Sequence, residues 1–272
     1  MNLKEIERSL IKTYKKDIWC KFTKAINLYN LVEENDKIAV CISGGKDSFI
    51  LAKCFQELKK HGKVNFDLRF IVMNPGFTDT HLNEVKNNAE ILNIPIEIFD
   101  TDIFSVVDKL QHKSNCYICA KMRRGHLYNI AKSIGCNKIA LGHHIDDVIE
   151  TTLLNMFYNG KYETMLPKIE SKNFDGVELI RPLYLVREND IIRWAKYNNL
   201  IFKECSCGFK KELSKRVEMK SLVNELRSKN KFFDANMLKA LENVNLNSLM
   251  GYIIDDKKVT KYSENTADKI DI

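Results

Sequence analysis

The tightest constraint on this chain is a stretch where strand, loop and helix signals follow one another without a gap. Lys37-Ile38-Ala39-Val40-Cys41-Ile42 is short, apolar and β-prone, and reads as a buried strand. Beyond Ser43-Gly44-Gly45-Lys46-Asp47-Ser48, residues Phe49, Ile50, Leu51, Cys54, Phe55 and Leu58 recur at helical spacing, with Asp47 and Ser48 suited to a first turn. Two glycines allow positive φ and a close backbone approach to a ligand. A helix start adds free N–H groups and partial positive charge, which suit phosphate. Ser43, Ser48 and Lys46 supply further donors. The loop is not a Walker A motif, which needs another Gly upstream and a Ser or Thr after the Lys; here Asp47 follows Lys46.

The rest of the chain repeats this alternation. Apolar stretches at 66–73, 94–99, 138–141 and 177–180 read as further strands, with helical patterns between most of them. Asn74-Pro75-Gly76 breaks the second strand. The pattern implies an α/β fold, a parallel sheet with helices on both faces, in which ligands bind beyond the carboxyl ends of the strands. Residues 1–30 form a helical segment with the stripe Leu10, Tyr14, Ile18, Phe22, Ile26 and Leu31 and a lysine-rich opposite face. Residues 31–208 form the main domain. Residues 209–272 read as two helices and a polar, loosely held tail from Asp255, with no strand.

With 272 residues the chain is long enough for one large domain with an appendage. Its formal charge of +7 points to an anionic partner. The start, Met1 to Arg8, holds no apolar signal core, and no apolar run is long enough to span a bilayer, so a cytoplasmic protein with no membrane contact is expected. In that compartment eight cysteines point to metal or redox chemistry rather than disulfides.

Two more constellations carry chemistry. Gly142-His143-His144-Ile145-Asp146-Asp147 directly follows the fourth strand and faces the same crevice as the glycine loop. Asp146 and Asp147 have the chemistry to hold Mg²⁺ beside a triphosphate or to take a proton; capping of the following helix is the plainer role. Cys116 and Cys119 form a two-residue-spaced pair leading into a helix with Lys121, Arg123 and Arg124, whose charge favours thiolate. Cys205 and Cys207 supply two further thiols. Four thiolates would satisfy zinc, three an iron–sulfur cluster with one open iron, and spacing alone does not choose. Cys20, Cys41, Cys54 and Cys136 read as small core residues.

The run Ser43 to Ser48 resembles the pyrophosphate-binding loop of the PP-loop ATPases, with their adenine-nucleotide α-hydrolase-like fold. Together with the Cys116–Cys119 pair and Arg123-Arg124-Gly125, Gly142 to Asp147, Leu154-Asn155-Met156-Phe157-Tyr158 and Ile180-Arg181-Pro182-Leu183, it resembles the tRNA 2-thiocytidine synthetase family over roughly residues 26–208. That resemblance implies ATP-dependent adenylation of the C2 oxygen of an anticodon-loop cytidine, followed by displacement of AMP by sulfur. It implies ATP bound by Ser43, Gly44, Gly45, Lys46, Asp47, Ser48 and Gly142. A [4Fe-4S] cluster would be held by Cys116, Cys119 and Cys207, with one iron open to carry sulfide; Cys205 is the rival third ligand. Asp147 would handle Mg²⁺ or a proton, Arg123 would steady the adenylated intermediate, and Lys46 would balance phosphate charge. Partners are tRNA, ATP, a sulfur donor (a cysteine desulfurase or inorganic sulfide) and a second copy in a homodimer. Three other readings stay open: a PP-loop thiouridine synthetase, an amine ligase with structural zinc, and a non-catalytic zinc-stabilised RNA-binding protein.

Overall fold

The computed structural model describes residues 2–109, 115–171, 173–202, 215–254 and 257–260. They group into two compact units, residues 1–222 and 223–272.

The first unit opens with α1 (Leu3–Arg8), two π-helical turns (Ser9–Thr13 and Lys15–Trp19) and α2 (Cys20–Leu28). The π turns follow from the stripe, whose apolar positions repeat every fourth residue from Leu10 to Ile26. An α-helix would rotate such a stripe by about 40° per step. A wider turn rotates it the other way, so Leu10, Ile18, Phe22 and Ile26 all stay buried. Cys20 lies off this stripe and is exposed, not a core residue as its pattern suggested. Cys41, Cys54 and Cys136 are buried.

Then come β1 (Lys37–Cys41), α3 (Lys46–His61), β2 (Asp67–Asn74), α4 (Asp79–Ile91), β3 (Ile96–Asp100), α5 (Ile103–Lys109) and α6 (Asn115–Ser133). These are followed by β4 (Lys138–Ala140), α7 (Ile145–Tyr158), β5 (Lys168–Glu170), β6 (Glu178–Ile180), α8 (Glu188–Tyr197) and α9 (Lys215–Lys229). The sheet order is β3-β2-β1-β4-β6-β5. All pairings are parallel except that of the edge strand β5, which runs antiparallel to β6. Three-residue β5, with Ile169 and Glu170 exposed, carries too little pattern to read from sequence.

Alternation along β1 splits the core between the two faces of the sheet. Ile38, Val40 and Ile42 join one apolar cluster with residues of α2, α3, α4 and α8, and Ala39 and Cys41 join the other with residues of α5 and α6. From β1 the chain winds outward through β2 and β3, then returns to β4 on the other flank of β1. The carboxyl ends of β1 and β4 therefore flank the switch point of the topology, where open α/β sheets bind ligands.

At the opposite end of the strands, Lys138 is 1% exposed and lies 2.8 Å from both Asp36 and Glu33. Asp36 is itself buried.

The second unit contains the end of α9, α10 (Phe233–Glu242), a 3₁₀ turn (Leu246–Ser248), and the hairpin β7 (Gly251–Ile254) and β8 (Lys257–Thr260). The all-helical expectation for this stretch is thus corrected. Residues 257–260 are a paired strand rather than a loose tail. Both strands are largely exposed, so no burial alternation marks them in the sequence. The tail beyond residue 260 lies outside the described residues.

Replacing Lys138 with Ala leaves Asp36 buried without its cation and is expected to cost about 3 kcal/mol. Urea unfolding measures this; a cost below about 1 kcal/mol would mean that the pair is not buried in solution.

Candidate active site

The loop after β1 closes on itself through one side chain. Ser48 Oγ donates to the Gly45 carbonyl at 2.8 Å and accepts from the Ser43 N–H at 3.1 Å. Gly44 has φ +89°, and a Cβ there would lie 2.9 Å from Val85 Cγ2 and 3.2 Å from His81 Nε2. Only glycine fits this turn. His81 is buried, and its Nε2 has no hydrogen-bond partner among the described residues. Gly45 is the N-cap of α3 and offers no side-chain cap, which leaves the first-turn N–H groups for a ligand.

The loop after β4 abuts this helix start. A Cβ on Gly142 would lie 3.0 Å from the Asp47 carbonyl carbon and oxygen and 3.1 Å from the Ser48 nitrogen. Backbone meets backbone because Gly142 has no side chain. His144 then caps α7: its Nδ1 accepts from the Asp147 N–H, and Asp147 Oδ2 accepts from the His144 N–H at 3.1 Å. Asp146 Oδ2 accepts from the Glu188 N–H at 2.7 Å, tying the start of α8 to the site. The two aspartates thus divide. Asp146 is buried in a structural contact, while Asp147 caps the helix and also lines a cavity.

That cavity, about 450 Å³, is lined by Ser43, Asp47 and Ser48 from the first loop and Gly142, His143 and Asp147 from the second. Arg123, Arg124, Leu127 and Tyr128 of α6 close it. Positions 116, 119, 123 and 127 are three or four residues apart and share one helical face, so the wall that Arg123 and Leu127 provide continues towards the cysteine pair. Cys119 is buried. The side chain of Cys116, and the whole of Cys205 and Cys207, lie outside the described residues.

Lys46 turns instead to two carboxylates, Glu188 Oε1 at 3.0 Å and Asp47 Oδ2 at 3.2 Å. Burial works against its charge, but the two carboxylates outweigh burial and raise its pKa. Glu188 also takes Lys220 at 2.6 Å. Burial alone would raise its pKa, yet the two lysines bring it down to about 2. Arg216 of α9 reaches Asp147 Oδ1 at 2.7 Å and Glu150 Oε2 at 3.1 Å. Glu188 had no sequence signal, and Arg216 and Lys220 read in sequence only as part of a basic helix suited to the tRNA backbone; all three sit far from either motif and join it through the fold. Asp47 Oδ1 is buried with no hydrogen-bond partner among the described residues, and burial raises the Asp47 pKa. A carboxylate oxygen without a hydrogen bond beside a glycine loop, with His144 Nε2 3.9 Å away, suits a hard cation.

Gly142→Ala forces the two loops apart and is expected to cost about 1–3 kcal/mol and to weaken ATP-analogue binding, read by calorimetry. Unchanged affinity would contradict the backbone contact. A second expectation concerns acid. Burial, with Arg181, His144 and Arg216 nearby, pushes His143 down to about 4 against the pull of Asp147. An unfolded histidine titrates near 6.5. The stabilising effect of the neutral ring is therefore present above about pH 6.5 and lost as pH falls towards about 4. Thermal melts over that window should show the wild type losing stability relative to His143→Gln; a constant difference would contradict the shift.

Comparison with known proteins matches this geometry. A PP-loop domain model matches residues 11–225. A tRNA-cytidine(32) 2-sulfurtransferase of Coxiella burnetii (strain Dugway 5J108-111) is 37% identical over 258 residues, spanning 93% of this chain and 96% of that protein. One from Paraburkholderia xenovorans (strain LB400) is 38% identical over 235 residues, spanning 84% of this chain and 68% of that protein. The U34-tRNA thiolase NcsA from Methanococcus maripaludis, solved with its [4Fe-4S] cluster, superposes with a TM-score of 0.67 at 22% identity, covering 83% of this chain and 78% of that one. This last likeness shows the fold. Loop, switch point and relatives agree: the chain belongs to the PP-loop family, and within it to the family of the tRNA-cytidine(32) 2-sulfurtransferases.

Proposed function

We propose that this chain is an ATP-dependent tRNA sulfurtransferase that converts cytidine 32 of the anticodon loop to 2-thiocytidine. The observation that carries this reading is the shared cavity. The glycine loop, the Asp147 loop and the arginine face of the cysteine-bearing helix α6 all line one space.

The residues divide the work as follows. Ser43, Gly44, Gly45, Ser48 and the start of α3 bind phosphate oxygens, with Gly142 holding the second loop against them. Lys46 exchanges a carboxylate for phosphate when ATP enters. The C2 oxygen of the base attacks the α-phosphorus, the bond to the β-phosphate breaks, and pyrophosphate leaves. Sulfur then adds at C2, the C2–O bond breaks, and AMP leaves. Arg123 and Arg124 oppose the negative charge of the adenylated base. Asp147 accepts the proton that sulfur brings, or holds Mg²⁺ together with Asp47; a metal there competes with Arg216 for the Asp147 oxygen.

The thiol donor set suits an iron–sulfur cluster. Cys116, Cys119 and Cys207 would hold it, and when bound it supplies activated sulfur. Among the described residues no group of three metal-binding side chains occurs, as expected when two of these three side chains lie outside them. The catalytic domain is residues 31–208, and the basic surface engages the tRNA backbone in a salt-dependent way. Among the described residues no helix is long and apolar enough to cross a membrane. A cytoplasmic setting, a desulfurase or inorganic sulfide as donor, and a homodimer complete the proposal.

Cys119→Ser, purified without oxygen, is expected to lose most of its iron and to form no 2-thiocytidine, while still binding ATP. Nucleoside mass spectrometry and iron analysis read both. Unchanged thiocytidine in the variant would sink the cluster role of this cysteine.

A further inference from the structure

Arg181, one residue beyond β6, is 7% exposed; no carboxylate forms a salt bridge with it among the described residues, and Asp147 acts on it only at longer range. A buried guanidinium without a counter-ion is costly to keep. Its Nη1 donates to the Leu166 carbonyl, and its Nε donates to His143 Nδ1 at 3.4 Å. Burial lowers the Arg181 pKa only to about 10, so it stays charged at neutral pH.

A guanidinium offers donors and no acceptor. The nitrogen facing it must therefore be the unprotonated one. Protonating Nδ1 would set two N–H groups against each other. A neutral imidazole then carries its single proton on Nε2. His143 lines the cavity together with Gly142, Asp147, Arg123 and Arg124. One side of its ring is engaged by Arg181, which leaves Nε2–H as the polar group it can offer to a ligand.

We propose that His143 is a catalytic hydrogen-bond donor: a neutral ring locked by Arg181 in its Nε2–H form, donating to a non-bridging oxygen of the α-phosphoryl group as pyrophosphate leaves. Arg181 is the positioning residue. The inference rests on the reading of this cavity as the site where ATP is split. It separates His143 from acid–base work, because taking a proton at Nδ1 breaks the contact with Arg181. A neutral donor also leaves the attraction of Arg123 and Arg124 for the anion undivided. The groups around the ring are Arg181, Asp147, His144 and Arg216.

The test uses the full-length holoenzyme with tRNA and two readouts. Long-range ¹H–¹⁵N spectra of ¹⁵N-histidine protein at pH 7.5, with His143 assigned by its loss in His143→Gln, should show the Nε2–H tautomer. In Arg181→Met, or in Arg181→Gln should the first not fold, that signal should move towards a tautomer mixture, since neither side chain presents donors alone to Nδ1. His143→Ala should lower kcat for pyrophosphate release about 10²-fold, with KM for ATP changed much less. His143→Gln, whose amide can donate, should recover at least a tenth of wild-type activity. An Nδ1–H tautomer in the wild type, or an undiminished kcat in His143→Ala, would overturn the proposal. Pyrophosphate release without thiolation by the wild type would refute the sulfurtransferase reading alone, and the His143 comparison would still decide this one.

Discussion

The site depends on a contact in which no side chain takes part. Gly142, at the end of β4, sets its Cα against the Asp47 carbonyl and the Ser48 N–H at the start of α3. The parallel pairing of β1 with β4 brings these two loops to one edge, and the reversal of winding between them opens the crevice above. A phosphate loop alone is an anion cradle. Pressed against a second loop that carries His143 and Asp147, it becomes a cavity with donors on one wall and a carboxylate on another.

Charge within the first unit follows from the same arrangement. Lys46, Lys220 and Arg216 are each held by carboxylates, namely Asp47, Glu188, Asp147 and Glu150. On the function proposed above, phosphate entering the cavity would compete with these acids for the cations, and a divalent metal would compete with the cations for the acids. Exchange of partners suits a site that must bind a triphosphate and then release pyrophosphate. Arg123 and Arg124, which also line the cavity, add charge from α6, the helix that carries Cys116 and Cys119.

Much of this was legible in the sequence, and the reasons are physical. Strands buried on both faces, such as Lys37 to Ile42, read as apolar runs, and the glycine loop announces itself because phosphate binding needs backbone and not side chains. The cysteine pair and the Gly142 to Asp147 run are local in sequence, so their spacing can be read directly. Other features were hidden for definite reasons. β5 and the β7–β8 hairpin are short and exposed, with no buried face to impose alternation. The π turns before α2 show only as a repeat of four. Glu188, Arg216 and Lys220 reach the site by tertiary packing, and the separate duties of Asp146 and Asp147 are decided by which backbone N–H each one meets.

Whether one cavity both splits ATP and sulfurates a base is decided by following both products at once in anaerobic holoenzyme given ATP, cytidine-32 tRNA and sulfide. A single site yields AMP and pyrophosphate one-for-one with 2-thiocytidine, and only when tRNA is present. ADP and inorganic phosphate as the products, or AMP release with no thiolated nucleoside, would contradict it.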